Sequence, residues 1–291
     1  MKFRIKHQTE YQYAQPASDS FAELRICPRD LPSQRVLSRR LVLTPDVPVE
    51  SYIDYFGNYV EFFSVPFRHQ RLSVESIAEV ETLPLPEPGE SLQVTVAESL
   101  QIFKSLLLNV FDYLQPTLHV PLHHVLRPIR NRFFRPKDTL GDALLGLNTW
   151  IYSHFTYRQG ITDISTPLDE VIRTRQGVCQ DFAHLMLSIL RSSGIPARYV
   201  SGYIESVDPT LPHQSLVGAA ASHAWVEVLL PGGLWWGLDP TNNQPAGERH
   251  VKVASGRDYQ DIAPLRGTYK GARHQDLKVI VSVERKQPAT P

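Results

Sequence analysis

The chain has 291 residues, more than one typical domain holds, so two compact units are expected. A hydrophobic fraction of 42% and a charged fraction of 21% argue against wholesale disorder. Thirty basic residues balance thirty acidic ones and the pI is about 7.2, so no global field recruits nucleic acid or an anionic membrane, and neither is expected as a partner.

The N-terminus, MKFRIKHQTEYQY, lacks the uninterrupted apolar core of a signal peptide. Phe3, Ile5 and His7 alternate with Lys2, Arg4 and Lys6, as in a half-buried strand. No apolar run approaches the roughly 20 residues that span a bilayer, so a cytoplasmic location is expected. Further strands are expected in FAELRICP, RRLVLTP, SYIDYFGNYVEFFSVP and RLSVESIAEVETLP, where apolar residues alternate and many are β-branched or aromatic. Prolines at 28, 32, 45, 48 and 66 fall between these runs. Residues 1–85 therefore predict a β-rich, sandwich-like N-terminal domain.

The proline-rich stretch Leu83 to Gly89 reads as a linker, and residues 86–136 as a connection with a helical segment around Val94 to Leu114. Residues 137–286 are expected to form the second domain, and 287–291 a frayed tail. Leu144, Leu147, Ile151 and Phe155 repeat at helical spacing and predict a helix over Asp142 to Phe155; a shorter one is expected over Thr166 to Thr174.

The chain has only two cysteines, too few for a disulfide framework or a four-thiolate zinc site. Cys27, before Pro28, reads as a small buried hydrophobe. Cys179 has a different setting. From it, Phe182, Ala183, Met186, Ile189 and Leu190 recur at helical spacing, and Ser193-Gly194 with Pro196 ends the helix. A thiol in the first turn feels the positive end of the helix dipole, which favours thiolate, and free N–H groups there can donate to an oxyanion. Gly177 is read as leaving room for substrate. A buried, inert thiol is nevertheless the commoner fate of an isolated cysteine, so its partners decide.

Those partners come from SHAWVEVLLPGGLWWGLDPTNN. Ala224, Val226, Val228 and Leu230 alternate with His223, Trp225, Glu227 and Leu229, and Pro231-Gly232-Gly233 turns the chain into a second strand ending at Asp239. A loop over 231–233 pairs Trp225 with Asp239; one over 230–232 pairs His223 with Asp239. Either register puts His223 and Asp239 on one face, opposite or diagonal. A carboxylate on one imidazole nitrogen fixes the ring's tautomer and leaves the other nitrogen to exchange a proton with a thiol.

At these residues the sequence resembles the transglutaminase-like superfamily, which shares the papain-like core. The matching stretches are GVCQDFAHLMLSILRSSGIPARYVSGY, SHAWVEV and WWGLDPTNN. The resemblance to bacterial transglutaminase-like proteins extends over most of the chain, including the β-rich first 85 residues and a C-terminal strand at LKVIVSVE. It implies Cys179 as nucleophile, His223 as general base and acid, and Asp239 as the residue orienting the imidazole. The reaction it implies is attack on a peptide or isopeptide amide, giving a thioester that water hydrolyses or a second amine takes up. The implied partner is a peptide or protein substrate, with no cofactor and no metal; the calcium sites of animal relatives find no match. For an aromatic oxyanion donor Trp150 is only a weak candidate. The alternative in kind is a protein-interaction module with a vestigial site.

Other clusters carry less. His119, His123 and His124 lack a Cys or acidic ligand at supporting spacing and read as a solvated loop. His184 points off the cysteine's face of its helix, Asp181 suits the dipole as a structural residue, and Tyr157, Trp235 and Trp236 read as core. Arg127, Arg130, Arg132, Arg135 and Lys137 read as a solvated basic face. The expected architecture is α+β: a papain-like core, with the Cys179 helix on an antiparallel sheet bearing His223 and Asp239, preceded by the β domain.

Overall fold

The computed structural model describes residues 1–205, 216–218, 222–271 and 274–286. The chain opens with β1 (Lys2–Leu24), β2 (Gln34–Thr44), β3 (Val49–Ile53), β4 (Tyr59–Val65) and β5 (His69–Thr82). Phe3, Ile5 and His7 are buried while Lys2, Arg4 and Lys6 face solvent. The strands expected separately at the N-terminus and at FAELRICP are one 23-residue strand. It stays unbroken because its pairing changes along its length. From Lys2 to Gln12 it pairs with β5; the register then shifts before Ala17, around Pro16, and from Ser20 to Leu24 it pairs with β4.

Helices follow: α1 (Val96–Ser105), α2 (Leu107–Val110), α3 (Arg127–Phe133) and α4 (Leu140–His154). Thr95 caps α1 reciprocally with Glu98, and the Thr139 hydroxyl accepts from the Asp142 N–H at the start of α4. After β6 (Thr156–Tyr157), α5 (Leu168–Thr174) and β7 (Gln176–Gly177) comes α6 (Cys179–Ser192). The chain then forms β8 (Ala197–Ile204), β9 (His223–Leu229), β10 (Trp235–Asp239), β11 (Gln244–Pro245), β12 (His250–Gly256), β13 (Leu265–Lys270) and β14 (Gln275–Arg285).

Two antiparallel sheets result. One has seven strands in the order β2-β5-β1-β4-β3, with β13 and β14 also on β1. The other has five, in the order β11-β10-β9-β8-β12. Two strands within residues 137–286, the span expected as the second domain, are β13 and β14, and they hydrogen-bond to β1 in the first sheet. Alternating apolar residues mark LKVIVSVE as a strand but cannot name its partner, because pairing is set by topology. The tail at 287–291 lies outside the described residues. Among those described, no helix is long and apolar enough to cross a membrane.

The core is continuous across both units. Phe3, Ile5, Ala78 and Val80 of the first sheet belong to one apolar cluster with Phe182, Met186 and Ile189 of α6. Helix α6 is buried nearly all round, with β8 and β9 on one side and α3, α4 and α5 on others. Met186, Leu187, Ile189 and Leu190 have no solvent exposure, and burying each contributes roughly 1.5–3 kcal/mol. Polar bonds join the units as well. The Gln34 amide donates to Lys252 O (2.8 Å) and accepts from Lys252 N–H (2.9 Å). The Asn58 amide does the same at Ser255, at 2.9 and 2.8 Å.

Candidate active site

Cys179 opens α6. Val178 precedes it in extended conformation and offers no side-chain acceptor, so the helix start is held from within: Asp181 Oδ2 accepts from Val178 N–H at 2.8 Å. The same oxygen accepts from the Thr162 hydroxyl at 2.7 Å, tying the preceding loop to the helix. Burial pushes the Asp181 carboxyl upward, opposed by these two bonds. The space over Gly177 is taken, contrary to the expectation that it admits substrate. A Cβ there would stand 2.7 Å from Asp181 Oδ2 and 2.9 Å from Asp181 Cβ, so the glycine makes room for the carboxylate.

Beside Cys179 lies a cleft of about 400 Å³, lined among others by Tyr157, Gln159, Gln180, Tyr199, His223 and Tyr259. Tyr157, read from sequence as core, packs against the apolar cluster and also lines the cleft. Trp150 does not: it packs against Phe133, His154 and Phe155. Trp235 carries Arg198 over its ring at 4.1 Å, and Trp236 is buried in the core.

The β9–β10 hairpin adopts the register set by a loop at 231–233. Leu230 N–H donates to Leu234 O, Leu238 pairs with Val226, and Asp239 follows opposite Trp225. His223 is therefore diagonal to Asp239, and its Nε2–H donates to Asp239 Oδ2 at 2.9 Å. The other ring nitrogen, Nδ1, is buried with no partner at hydrogen-bonding geometry among the described residues, and the Cys179 thiol lies close enough to act on the ring. Gly218 covers Nδ1 so closely that a Cβ would stand 2.7 Å from it. Cys179, His223 and Asp239 are thus brought together. Both cysteines are free; Cys27 is buried against the Ser76 hydroxyl, and burial pushes its thiol well above the ordinary range.

Burial alone would lower the His223 ring's proton affinity, but the charges of Asp239 and Cys179 outweigh it and hold it well above the usual imidazole value. The converse holds for Asp239. Burial would raise its carboxyl, yet His223 and then His250 keep it well below the carboxylate range.

Three further residues hold Asp239, and sequence reasoning found none of them. Asn242 donates from Nδ2 to Oδ2 at 2.7 Å and from its N–H to Oδ1 at 3.2 Å; the Thr241 N–H also donates to Oδ1, at 3.0 Å. The Asn242 amide also bonds both backbone groups of Val217, anchoring the segment over His223. His250, at the start of β12, lies with Nε2 at 3.2 Å from Asp239 Oδ2. Its Nδ1 accepts from Gly247 N–H, so in the neutral ring Nε2 carries the hydrogen given to Asp239. Burial holds this ring below the usual imidazole value despite Asp239. Asn242 was within reach of sequence, three residues after the acid in a DPTN turn. His250 had no local signal.

The ligating atoms of His223, Asp239 and His250 lie within 4.8 Å of one another, close enough to hold a cation. The donor set fits hydrogen bonding instead: both imidazoles and the Asn242 amide aim at one carboxylate oxygen, and two backbone N–H groups occupy the other. Among the described residues, His119, His123 and His184 lie outside this cluster. His184 is buried, stacks on His119 and accepts from Tyr259 N–H; His123 pairs with Asp169 at 2.6 Å. From the basic stretch, Arg130 donates to Ser192 O at the end of α6.

Comparison with known proteins finds relatives over nearly the whole chain. Residues 127–240 match the model of the transglutaminase-like superfamily, and residues 3–81 that of the bacterial transglutaminase-like N-terminal region. An uncharacterized protein of Mycobacterium leprae is 35% identical over 285 residues, covering 98% of this chain and 99% of its own. A protein-glutamine gamma-glutamyltransferase of Pseudomonas aeruginosa is 37% identical over 159 residues, 51% of this chain but only 24% of that protein. Among solved structures, a protein of Cytophaga hutchinsonii described as a candidate cysteine protease superposes with a TM-score of 0.74, at 24% identity, covering 99% of this chain and 92% of that one.

Proposed function

The chain belongs to the transglutaminase-like superfamily, and on that premise we propose that it cleaves peptide or isopeptide amides through a thioester on Cys179. The observation that carries this reading is the division of the His223 ring: Nε2 bonds the ionised Asp239, and the thiol acts on the ring beside it. In the proposed reaction, the Cys179 thiol gives its proton to the His223 ring and its sulfur attacks the amide carbonyl carbon. The carbonyl oxygen takes the negative charge, with first-turn N–H groups of α6 as donors. His223 protonates the departing nitrogen as the C–N bond breaks, releasing ammonia or an amine and leaving the thioester. It then takes a proton from the incoming water or primary amine, whose attack frees the sulfur. Asp239 keeps the ring in the tautomer both steps need. No step calls for a cofactor or metal, and a peptide or protein is the substrate class.

Iodoacetamide labelling tests this reading. Cys179 alkylates rapidly at neutral pH in the native protein, and the rate drops in His223→Ala. Slow labelling indifferent to His223 would instead favour a non-catalytic interaction module. Acceptor choice is read separately, by offering a labelled primary amine with a glutamine-containing protein. Incorporation identifies transfer; cleavage or ammonia release without incorporation identifies hydrolysis.

A further inference from the structure

A second, larger cavity of about 660 Å³ lies between the N-terminal sheet and the loops around the cleft. That size is typical of small-ligand sites, about 300–1,000 Å³. Tyr259 lines both the cavity and the Cys179 cleft, so the two are neighbours across one side chain. Tyr259 is fixed in place by its N–H bond to the buried His184.

The lining points to a ligand class. Tyr11, Tyr13 and Tyr269 contribute a group of rings, with Tyr11 and Tyr13 stacked at 6.3 Å and Tyr13 and Tyr269 tilted against each other at 4.9 Å. Three of the large apolar side chains left exposed on the molecule also line this cavity: Phe21 at 44%, Leu118 at 81% and Ile164 at 57% exposure. Isolated exposed apolar residues need no explanation, but several converging on one concavity beside a reactive thiol do. Among the described residues, Arg266 is the one charged residue in the lining. An aromatic, mainly apolar wall bearing the Arg266 guanidinium suits a ring edge or an aliphatic group and disfavours a cation.

We propose that this cavity is a substrate subsite receiving a bulky apolar side chain, aromatic by preference, from the peptide whose amide reaches Cys179. The inference rests on the amide chemistry proposed above and adds the feature by which substrates are selected. Extended peptide advances about 3.3–3.6 Å per residue. A side chain roughly two or three residues from the reacting amide therefore clears the width of one tyrosine. The N-terminal unit then supplies one wall of the subsite through β1 and β13.

The test uses short blocked peptides with a central glutamine, in which Phe, Ala or Lys replaces Ser in turn at each flanking position. Affinity is measured by calorimetry on the full-length Cys179→Ala protein, and kcat/KM on the active protein. At one position Phe is expected to bind roughly 10- to 100-fold more tightly than Ala, with Lys weaker than Ala. Thr268→Trp, which fills the cavity from β13, and Ile164→Glu, at its exposed rim, both erase that preference while leaving iodoacetamide labelling of Cys179 unchanged. Absence of any Phe preference, or its persistence in both variants, overturns the proposal. A dimer in sedimentation that Ile164→Glu dissolves also overturns it, by giving the cavity to a second copy. Discrimination in the Cys179→Ala protein without turnover in the active one retains the subsite and refutes the amide chemistry; turnover without discrimination does the reverse.

Discussion

His250 Nε2 stands 3.2 Å from Asp239 Oδ2, the same oxygen that receives His223 at 2.9 Å. One carboxylate oxygen thus serves two imidazoles in different protonation regimes. Burial keeps His250 below the ordinary imidazole value, while Asp239 and Cys179 hold His223 above it. His250 is accordingly a positioning residue for the acid. His250→Ala is expected to lower kcat roughly 10- to 100-fold with KM little changed, the scale of a lost hydrogen bond to a charged group. His250→Gln, whose amide N–H can reach the same oxygen, recovers much of that loss. Equal collapse of the Ala and Gln variants, with normal folding in both, would reject the role.

The two cysteines are expected to separate cleanly by reactivity. Cys27 is 2% exposed, beside Ser76, with its thiol pushed upward by burial. Peptide mapping after brief iodoacetamide treatment at neutral pH should find the label on Cys179 alone. Cys27 becomes modified only after denaturant is added.

Acid should destabilise the fold well before its carboxylates protonate. Burial holds His7 at about 4 and lowers His184 and His250 as well. Unfolded, each would bind a proton near the ordinary value of about 6.5. Below that pH the unfolded state binds more protons, so stability falls by up to about 1.4 kcal/mol per pH unit for each ring, until its folded value is reached. His223 runs the opposite way. Its value is raised, so its contribution is complete below the unfolded value and is lost as pH climbs through the folded one. The depressed Asp239 contributes above its unfolded value and fades as pH drops through its folded one. Urea midpoints should therefore decline from about pH 6.5 to about pH 5; a flat profile contradicts the burial of three neutral rings.

Asp181→Ala removes the acceptor for Val178 N–H and the Thr162 hydroxyl together. A loss of about 1–3 kcal/mol in unfolding free energy is expected, with slower Cys179 labelling as the helix start and the neighbouring loop loosen. Gly177→Ala should lower stability too, because its Cβ would meet that carboxylate at 2.7 Å. In the double variant the penalty of the second change shrinks, which a thermodynamic cycle measures directly.

What was legible in the sequence followed the range of the interactions. The nearness of His223 and Asp239 was readable because a three-residue loop fixes hairpin register by counting. The course of the Cys179 helix was readable from periodicity, and its end from the Ser193-Gly194-Pro196 stop. Gly177 was misread because its role depends on Asp181 folding back over it, and helical spacing carries no information about that. Tyr157 was assigned to the core alone because an aromatic residue after a helix looks the same whether or not it also lines a cleft. His250 and the pairing of β14 with β1 were beyond reach. The first depends on β12 lying beside β8, the second on a strand near the C-terminus returning across the whole chain to residues 3–13.

The carboxamides of Gln34 and Asn58 have a further effect, because a carboxamide carries the same donor and acceptor as a peptide unit. Strand β12 borders the five-stranded sheet, and at Lys252 and Ser255 its outward backbone groups are already engaged by these two side chains. A stray strand from another molecule finds those positions occupied and cannot extend the sheet there. The first unit thereby shields this part of the border that its neighbour would otherwise offer to a passing chain.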